Sequence, residues 1–231
     1  MNFLSLASSS KGNAYILDDG DTKLLLECGL PFKELSKRLG FGLSEIAGCL
    51  LSHEHKDHSK SAKKLLDAGI PVYSSYGTAE SLDDERFYII EEKQMFQIGS
   101  FDVMPFSVFH DAAEPLGFLI RSRRSKKRMI FITDTSAINY KFTNLDFIAV
   151  ECNYIADILD KNSRLPEKVC ERIKRNHMNA YDTLAFLDRL DMSNVSTVYL
   201  LHLSDACSDE QFIYDMFSKT FPDIKIVVCK K

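Results

Sequence analysis

Apolar residues recur in short runs along the chain, and several of these runs alternate apolar with polar positions. Runs of about four to eight such residues, bounded by polar residues, glycine or proline, are typical of β-strands. The pattern predicts strands at residues 3–6, 14–17, 23–28, 49–51, 72–74, 87–90, 101–109, 117–120, 129–133, 147–150, 195–201 and 224–228.

Helical periodicity occurs between several of these strands. It predicts helices at residues 31–39, 59–68, 167–175, 180–190 and 209–219. Strands dominate the first half of the chain, whereas helices and strands alternate in the second half. This order predicts an α/β fold in which two sheets are sandwiched between helices, and one continuous domain over residues 1–231.

Composition and charge narrow the class of protein. The 231 residues are 45% hydrophobic, which is enough for a real core, and the six cysteines are scattered in a way that suits reduced thiols. No signal peptide is expected at residues 1–7 and no run of about 18 apolar residues occurs, so the expected location is the cytoplasm, without a membrane partner. A formal net charge of -4 argues against a protein that coats nucleic acid non-specifically.

The densest group of metal-ligand residue types is the run His53–His58. A buried strand is predicted at 48–52 and a helix at 60–66, so the run is expected to form a strand-to-helix loop. Imidazole and carboxylate groups are the ligands that zinc accepts, and the run therefore predicts a metal site. Its candidate ligands are His53, His55, Asp57 and His58.

Three histidines outside this run each lie at the edge of a predicted element: His110, His177 and His202. A single histidine after a strand is more often a hydrogen-bonded surface residue than a ligand. Asp134 directly follows the apolar strand at 129–133, where a carboxylate can project into a cleft, although it could equally be a turn residue. Together with the His53–His58 run, these four residues become further candidate ligands.

Seven motifs follow one another along nearly the whole chain, at 8–13, 51–58, 110–118, 133–135, 151–153, 176–179 and 201–204. In this order they resemble the metallo-β-lactamase superfamily and, within it, the YycJ/WalJ-like branch of DNA exonucleases related to ribonuclease Z. The resemblance implies an αβ/βα four-layer sandwich over residues 1–231. It also implies two divalent metal ions, with zinc expected and manganese as the alternative.

The resemblance further implies a role for each motif residue. His53, His55 and His110 would bind one metal, Asp57, His58 and His202 the other, and Asp134 would bridge both. The catalytic residues would be Asp57, Asp134 and His177, with a metal-bridging hydroxide as nucleophile and His177 beside the scissile phosphate or protonating the leaving oxygen. Substrate contacts are expected at Ser10, Lys11, Asn13, Asn176 and Asn179, and one of the last two is expected to cap the following helix.

Substrate class has to be predicted separately, because one metal pair can hydrolyse lactams, thioesters, lactones and phosphodiesters. Residues 59–61 are Ser-Lys-Ser, whereas thioesterases and lactonases of the superfamily have glycines there. Together with His177, this favours a phosphodiester. The interval from Asp134 to His177 is too short for the insertion of the β-CASP nucleases, and no segment is long enough for a tRNA-grasping arm.

The leading hypothesis is therefore a metal-dependent DNA exonuclease with nucleic acid as its partner. A small-molecule or cyclic-nucleotide phosphodiesterase is the alternative, followed by other hydrolysis typical of the superfamily, an RNA-processing nuclease and a non-enzymatic, metal-stabilised module. The basic run at 121–128 predicts a solvated hairpin tip or a remote nucleic-acid contact. Basic residues nearer the candidate ligands are Lys11, Lys56, Arg172, Lys174 and Arg175. The sequence does not define an oligomeric state.

Overall fold

The computed structural model describes residues 1–229, which divide into two compact units; residues 230 and 231 lie outside the described residues. The first unit comprises Met1–Ser107 and Ala112–Lys127, and the second comprises Val108–Asp111 and Arg128–Cys229. The expectation of one domain over residues 1–231 stays a prediction. None of the helices in the described range is long and apolar enough to cross a membrane.

The first unit contains a six-stranded sheet in the order β1-β2-β3-β4-β5-β6. Its first three strands pair antiparallel, and β3 to β6 pair parallel. An antiparallel ribbon of β7, β8 and β9 belongs to the same unit. The strands are β1 (Asn2–Ser9), β2 (Gly12–Asp18), β3 (Lys23–Leu26), β4 (Ile46–Leu50), β5 (Val72–Ser74), β6 (Tyr88–Ile89), β7 (Phe96–Ile98), β8 (Phe101–Ser107) and β9 (Leu116–Ser122).

The core of the first unit forms where helices cover the parallel part of the sheet. Leu25 and Cys49 of the strands pack in one buried cluster with Leu35 and Leu65 of two helices. Parallel strands are covered on their faces, which explains why β3 and β4 are almost continuously apolar. The helices of this unit are α1 (Phe32–Arg38), α2 (Lys56–Ser59), α3 (Ala62–Asp67) and α4 (Tyr76–Leu82), with a 3₁₀ turn at Leu43–Glu45.

The second unit contains a parallel sheet in the order β10-β11-β12-β13. Because parallel strands end at the same edge, residues that follow β10, β11 and β12 lie close together, and such edges hold ligands in open α/β sheets. The strands are β10 (Arg128–Ile132), β11 (Phe147–Glu151), β12 (Thr197–Leu201) and β13 (Lys225–Val228), and the helices are α5 (Ala156–Asp160), α6 (Glu167–Asn176), α7 (Ala180–Asp188) and α8 (Glu210–Thr220).

Each strand predicted from the sequence overlaps an observed strand, and four of the predicted helices match α1, α6, α7 and α8. The helix predicted at 59–68 is wrong at its start, because the chain forms the one-turn helix α2 and then the separate helix α3. Asp57 and His58 therefore lie in a helical turn rather than in an open loop. The short elements β7, α4 and α5 were not predicted.

Candidate metal centre

The His53–His58 run of the first unit brings three imidazole rings together. The ring centroid of His53 lies 4.2 Å from that of His58 and 4.8 Å from that of His55. Asp57 adds a carboxylate, whose Oδ2 lies 3.5 Å from His58 Nε2. His53 and His58 are almost fully buried. Clustered imidazoles with an adjacent carboxylate form a donor set suited to a divalent cation.

Neighbouring segments of the first unit hold this run in place. The side-chain amide of Asn13 donates to the carbonyl of Asp57 at 3.2 Å and lies 3.1 Å from His58 Nε2. The backbone N–H of Cys28 donates to the carbonyl of His58 at 2.7 Å. Gly29 passes so close to the run that an added Cβ would lie 1.6 Å from the carbonyl oxygen of Asp57. The conformation of the run is thus set by tertiary contacts as well as by its own sequence.

Glu27, which was not among the predicted site residues, lies behind the run with a fully buried carboxyl group. Its Oε1 accepts from the backbone N–H of Ser52 at 3.2 Å, and its Oε2 lies 3.4 Å from His58 Nδ1. A carboxylate on the far nitrogen of a ligand histidine fixes the tautomer and the orientation of the ring. The sequence signal that could have indicated Glu27 is a carboxylate at the end of an otherwise apolar strand.

The second unit gathers four possible donors at the carboxyl edge of its parallel sheet: Asp134, Glu151, His177 and His202. One ligand atom from each lies within 4.8 Å of the others. His202 Nδ1 lies 3.5 Å from Asp134 Oδ1, and His110 Nε2 lies 3.7 Å from Asp134 Oδ2. The edge therefore combines carboxylate and imidazole groups in the way that the topology of β10, β11 and β12 predicts.

Two of these donors have a left-handed backbone, with φ of 30° at Asp134 and 56° at His202. Non-glycine residues in this region are strained by about 1–3 kcal/mol each, and such residues cluster at functional sites. The side-chain hydroxyl of Thr133 donates to Asp134 Oδ1 at 2.8 Å. The amide of Asn153 donates to the carbonyl of His202 at 2.9 Å and lies 3.0 Å from its Nδ1. These contacts keep both donors directed over the sheet edge.

Glu151 and His177 form a close pair in the second unit. His177 Nδ1 donates to Glu151 Oε1 at 2.5 Å, while Glu151 Oε2 accepts from the backbone N–H groups of Thr135 at 2.9 Å and Met178 at 3.2 Å. Burial alone would lower the pKa of His177, but the charge of Glu151 and its hydrogen bond outweigh it and raise that pKa. Burial alone would raise the pKa of Glu151, but the charge of His177 and its hydrogen bond outweigh burial and lower that pKa. The pair favours a protonated imidazole.

His110 is oriented by the end of helix α6. Its Nδ1 donates to the backbone carbonyl of Asn176 at 3.1 Å, which leaves Nε2 directed toward Asp134. Burial lowers the pKa of His110, and this favours the neutral imidazole that a metal requires. Asn176 itself is buried and supplies its backbone oxygen here.

The predicted substrate-binding residues have structural contacts of their own. Asn179 caps α7 by accepting from the backbone N–H groups of Tyr181 and Asp182, which confirms the predicted cap. Ser10 and Lys11 lie exposed at the turn between β1 and β2, and Asn13 contacts the His53–His58 run. Their contacts with substrate stay a prediction, as do those of Asn176 and Asn179.

A cavity of about 790 Å³ in the first unit is lined by carboxylates rather than by basic residues. Its walls include Glu91, Glu92 and Glu114, together with Tyr76 and Ile89. Like charges repel, so this acidic cavity is unsuited to a phosphodiester anion. The two donor sets, with their imidazole and carboxylate groups, are instead suited to divalent metal ions.

Comparison with known proteins places these observations in a family. The chain matches the model of the β-lactamase superfamily domain over residues 22–203, more than half of its length. It is 28% identical over 222 residues to exodeoxyribonuclease YycJ of Bacillus anthracis, covering 88% of this chain and 83% of that protein. It is 26% identical over 219 residues to exodeoxyribonuclease WalJ of Streptococcus pneumoniae serotype 2, covering 86% of this chain and 80% of that protein.

A solved structure supports the same fold. The metallo-β-lactamase fold protein YhfI from Bacillus subtilis superposes with a TM-score of 0.77 at 17% sequence identity, over 99% of this chain and 96% of that chain. This superposition and the family model confirm the predicted metallo-β-lactamase fold of the α/β class. The family model and the YycJ and WalJ relatives confirm the prediction of a metal-dependent hydrolase. The chain belongs to the metallo-β-lactamase superfamily and is similar to its YycJ/WalJ-like members.

Proposed function

We propose that the protein is a dinuclear metal-dependent phosphodiesterase that acts as a DNA exonuclease. The observation that carries this proposal is the pair of Glu151 and His177 beside the donors Asp134 and His202. Metal ligands alone fit many hydrolytic reactions, whereas a protonated imidazole next to them suits a substrate with a poor leaving group. The names of the YycJ and WalJ relatives add DNA as the substrate class.

We infer that the metal ligands are divided between two ions as the family resemblance implies. His53, His55 and His110 would hold one ion, and Asp134 would be shared by both. The ligands of the second ion would be Asp57, His58 and His202. Zinc is the ion expected from these histidine-rich sets, with manganese as the alternative. Bound there, two divalent ions would supply hydroxide near neutral pH and neutralise charge on the phosphoryl oxygens.

Residues of the chain would supply the rest of the chemistry. Glu151 holds the Nδ1 side of His177 and leaves Nε2 for the substrate. The side chain of His177 is 17% exposed, whereas that of Glu151 is fully buried, so the imidazole can reach a bound substrate and the carboxylate cannot. His177 would donate a proton to the departing alkoxide, and Glu151 would stabilise the imidazolium before transfer.

Turnover assays with purified protein loaded with zinc or manganese would test this function. The substrates are labelled double-stranded DNA, single-stranded DNA, RNA and a cyclic nucleotide. We expect stepwise release of nucleotides from DNA ends. Preferential turnover of the cyclic nucleotide or of RNA would replace the exonuclease assignment, and no turnover of any substrate at full metal occupancy would refute the enzymatic assignment.

Two substitutions test the assigned roles. Asp134→Asn should abolish turnover, because it replaces the carboxylate proposed to bind both ions by a neutral amide, which is a weaker metal ligand. His177→Ala should keep the bound metal, measured by elemental analysis, yet lose roughly 10²- to 10⁴-fold in kcat, the usual contribution of a general acid. Full activity in Asp134→Asn would overturn the proposed scheme.

A further inference from the structure

Helix α6 (Glu167–Asn176) carries a stripe of basic residues on an exposed face. Lys168, Arg172 and Arg175 are spaced at i, i+4 and i+7, so they share one side of the helix, and all three are exposed. With a rise of 1.5 Å per residue, the stripe is about 10 Å long. We call these three residues the α6 stripe.

The stripe ends at the candidate metal centre. The last residue of α6, Asn176, contacts His110 through its backbone carbonyl at 3.1 Å, and His177 follows directly. Arg172 is connected to His110 through Asp111, since its Nε lies 3.3 Å from Asp111 Oδ2. The other oxygen of Asp111 is 3.4 Å from His110 Nε2. A chain of two polar contacts thus joins the Arg172 guanidinium to an imidazole of the proposed site.

Lys174 differs from the stripe although it lies on the same helix. Its Nζ forms an ion pair with Asp160 at 2.5 Å, and its position in the helix turns it away from the face of Arg172. Both Lys174 and Arg175 are in the last turn, where basic residues also stabilise the helix dipole. Lys174 is therefore a matched control: a basic residue of α6 that forms its ion pair with helix α5 and lies off the α6 stripe.

We propose that the α6 stripe, with Arg172 at its centre, is a second phosphate-binding subsite that holds the nucleic-acid backbone next to the scissile phosphodiester. This inference rests on the proposed function. Asp111 keeps the exposed guanidinium near the site when no substrate is bound, and a backbone phosphate replaces this carboxylate when the strand enters. Arginine suits the exchange because its planar fork matches carboxylate and phosphate oxygens alike.

The dimensions of the stripe agree with a polymer substrate. A strand of duplex DNA carries one phosphate per about 3.4 Å of helix axis, so a stripe of about 10 Å is long enough to contact more than one phosphate of a strand. A substrate with a single phosphodiester cannot reach beyond the metals to use it. The stripe should thus favour polymers over small diesters by lowering KM, without changing the chemical step.

Steady-state kinetics of the holoenzyme test the subsite with two substrates, a single-stranded DNA oligonucleotide and bis(p-nitrophenyl) phosphate. Arg172→Gln should raise KM for the oligonucleotide about tenfold, leave its kcat unchanged and leave turnover of the small diester unchanged. The slope of log(1/KM) against log salt should become shallower by about 0.7, the loss of one phosphate contact on a single strand. Arg172→Lys should restore most of that slope, and Lys174→Gln should match the wild type.

The two substrates separate failure of this inference from failure of the proposed function. Unchanged KM and salt slope in Arg172→Gln, with an active wild type, would refute the subsite and leave the phosphodiesterase standing. An equal loss on both substrates would show that Arg172 supports the metal centre structurally, and would also refute the subsite. If the wild type hydrolyses neither substrate, the proposed function fails, and the subsite as a part of catalysis fails with it.

Discussion

Replacement of Glu151 by glutamine tests the role of the buried carboxylate most directly. Glu151→Gln removes the negative charge but keeps the size of the side chain. In the wild type, Oε1 accepts from His177 at 2.5 Å, and Oε2 accepts from two backbone N–H groups at 2.9 and 3.2 Å. The amide has only one oxygen, so it cannot keep both sides satisfied.

The expected loss follows from the lost charge. A buried hydrogen bond to a charged group contributes about 1.5–3 kcal/mol, which corresponds to roughly 10- to 100-fold in the population of correctly oriented, protonated His177. We therefore expect kcat for an oligonucleotide to fall by about 10- to 100-fold, less than for His177→Ala. KM should change little, because Glu151 is fully buried and does not contact substrate.

Leaving-group dependence is the assay that isolates proton donation. An oligonucleotide releases an alkoxide, which requires a proton, whereas p-nitrophenolate departs without one. Glu151→Gln should thus lose activity on the oligonucleotide and retain most of it on bis(p-nitrophenyl) phosphate. Metal content, measured on the same samples, controls for disturbance of the neighbouring donors.

Two results would refute this reasoning. Equal losses on both substrates with full metal content would mean that Glu151 does not act through proton donation. Loss of metal in Glu151→Gln would mean that this carboxylate belongs to the ligand set, as its position within the donor cluster of the second unit allows.

Two further predictions concern the first unit. Burial raises the pKa of Asp19, but hydrogen bonds from two serine hydroxyls and two backbone N–H groups outweigh it and lower that pKa. Asp19→Asn should therefore lower the free energy of unfolding by about 1–3 kcal/mol, measured by urea unfolding at neutral pH. The difference between the variant and the wild type should shrink below about pH 4, because protonation of Asp19 removes the advantage of the wild type. A difference that persists unchanged into acid would contradict this prediction. Gly29→Ala should reduce the content of bound metal, because the added Cβ would lie 1.6 Å from the carbonyl oxygen of Asp57. Gly42→Ala is the control and should retain metal, because the atom nearest to its added Cβ lies 3.1 Å away. Equal metal content in both variants would disprove the close-approach argument.

Local patterns were enough to predict most of the elements and the donors at their ends. The His53–His58 run is visible in the sequence because its ligand types are neighbours. His110, Asp134 and His202 were identifiable because each follows or adjoins an apolar strand, and parallel strands end at one edge. The periodicity of strands and helices depends on neighbouring residues, so it can be recognised in the sequence without knowledge of the tertiary contacts.

The supporting residues could not be predicted because their roles come from distant parts of the chain. Glu27 contacts His58, and Glu151 contacts His177, across long separations in sequence. In the sequence, each is a carboxylate at the end of an apolar strand, and the motif at 151–153 includes Glu151 without indicating its partner. Helix α4 was missed for a different reason: Gly77 weakens its helical pattern, and its start depends on Ser75, whose side chain accepts from the Thr78 N–H.

Backbone strain links the fold of the second unit to its chemistry. Asp134 follows β10 and His202 follows β12, and both have positive φ. The chain must turn sharply at these points if the side chain is to lie over the sheet edge instead of continuing along the strand. Glycine would relieve the strain of about 1–3 kcal/mol at each position, but it would remove the donor atom that the turn exists to place. The strain therefore persists because the position requires both a left-handed backbone and a side chain, and Glu27, with φ of 63°, combines the same two requirements in the first unit.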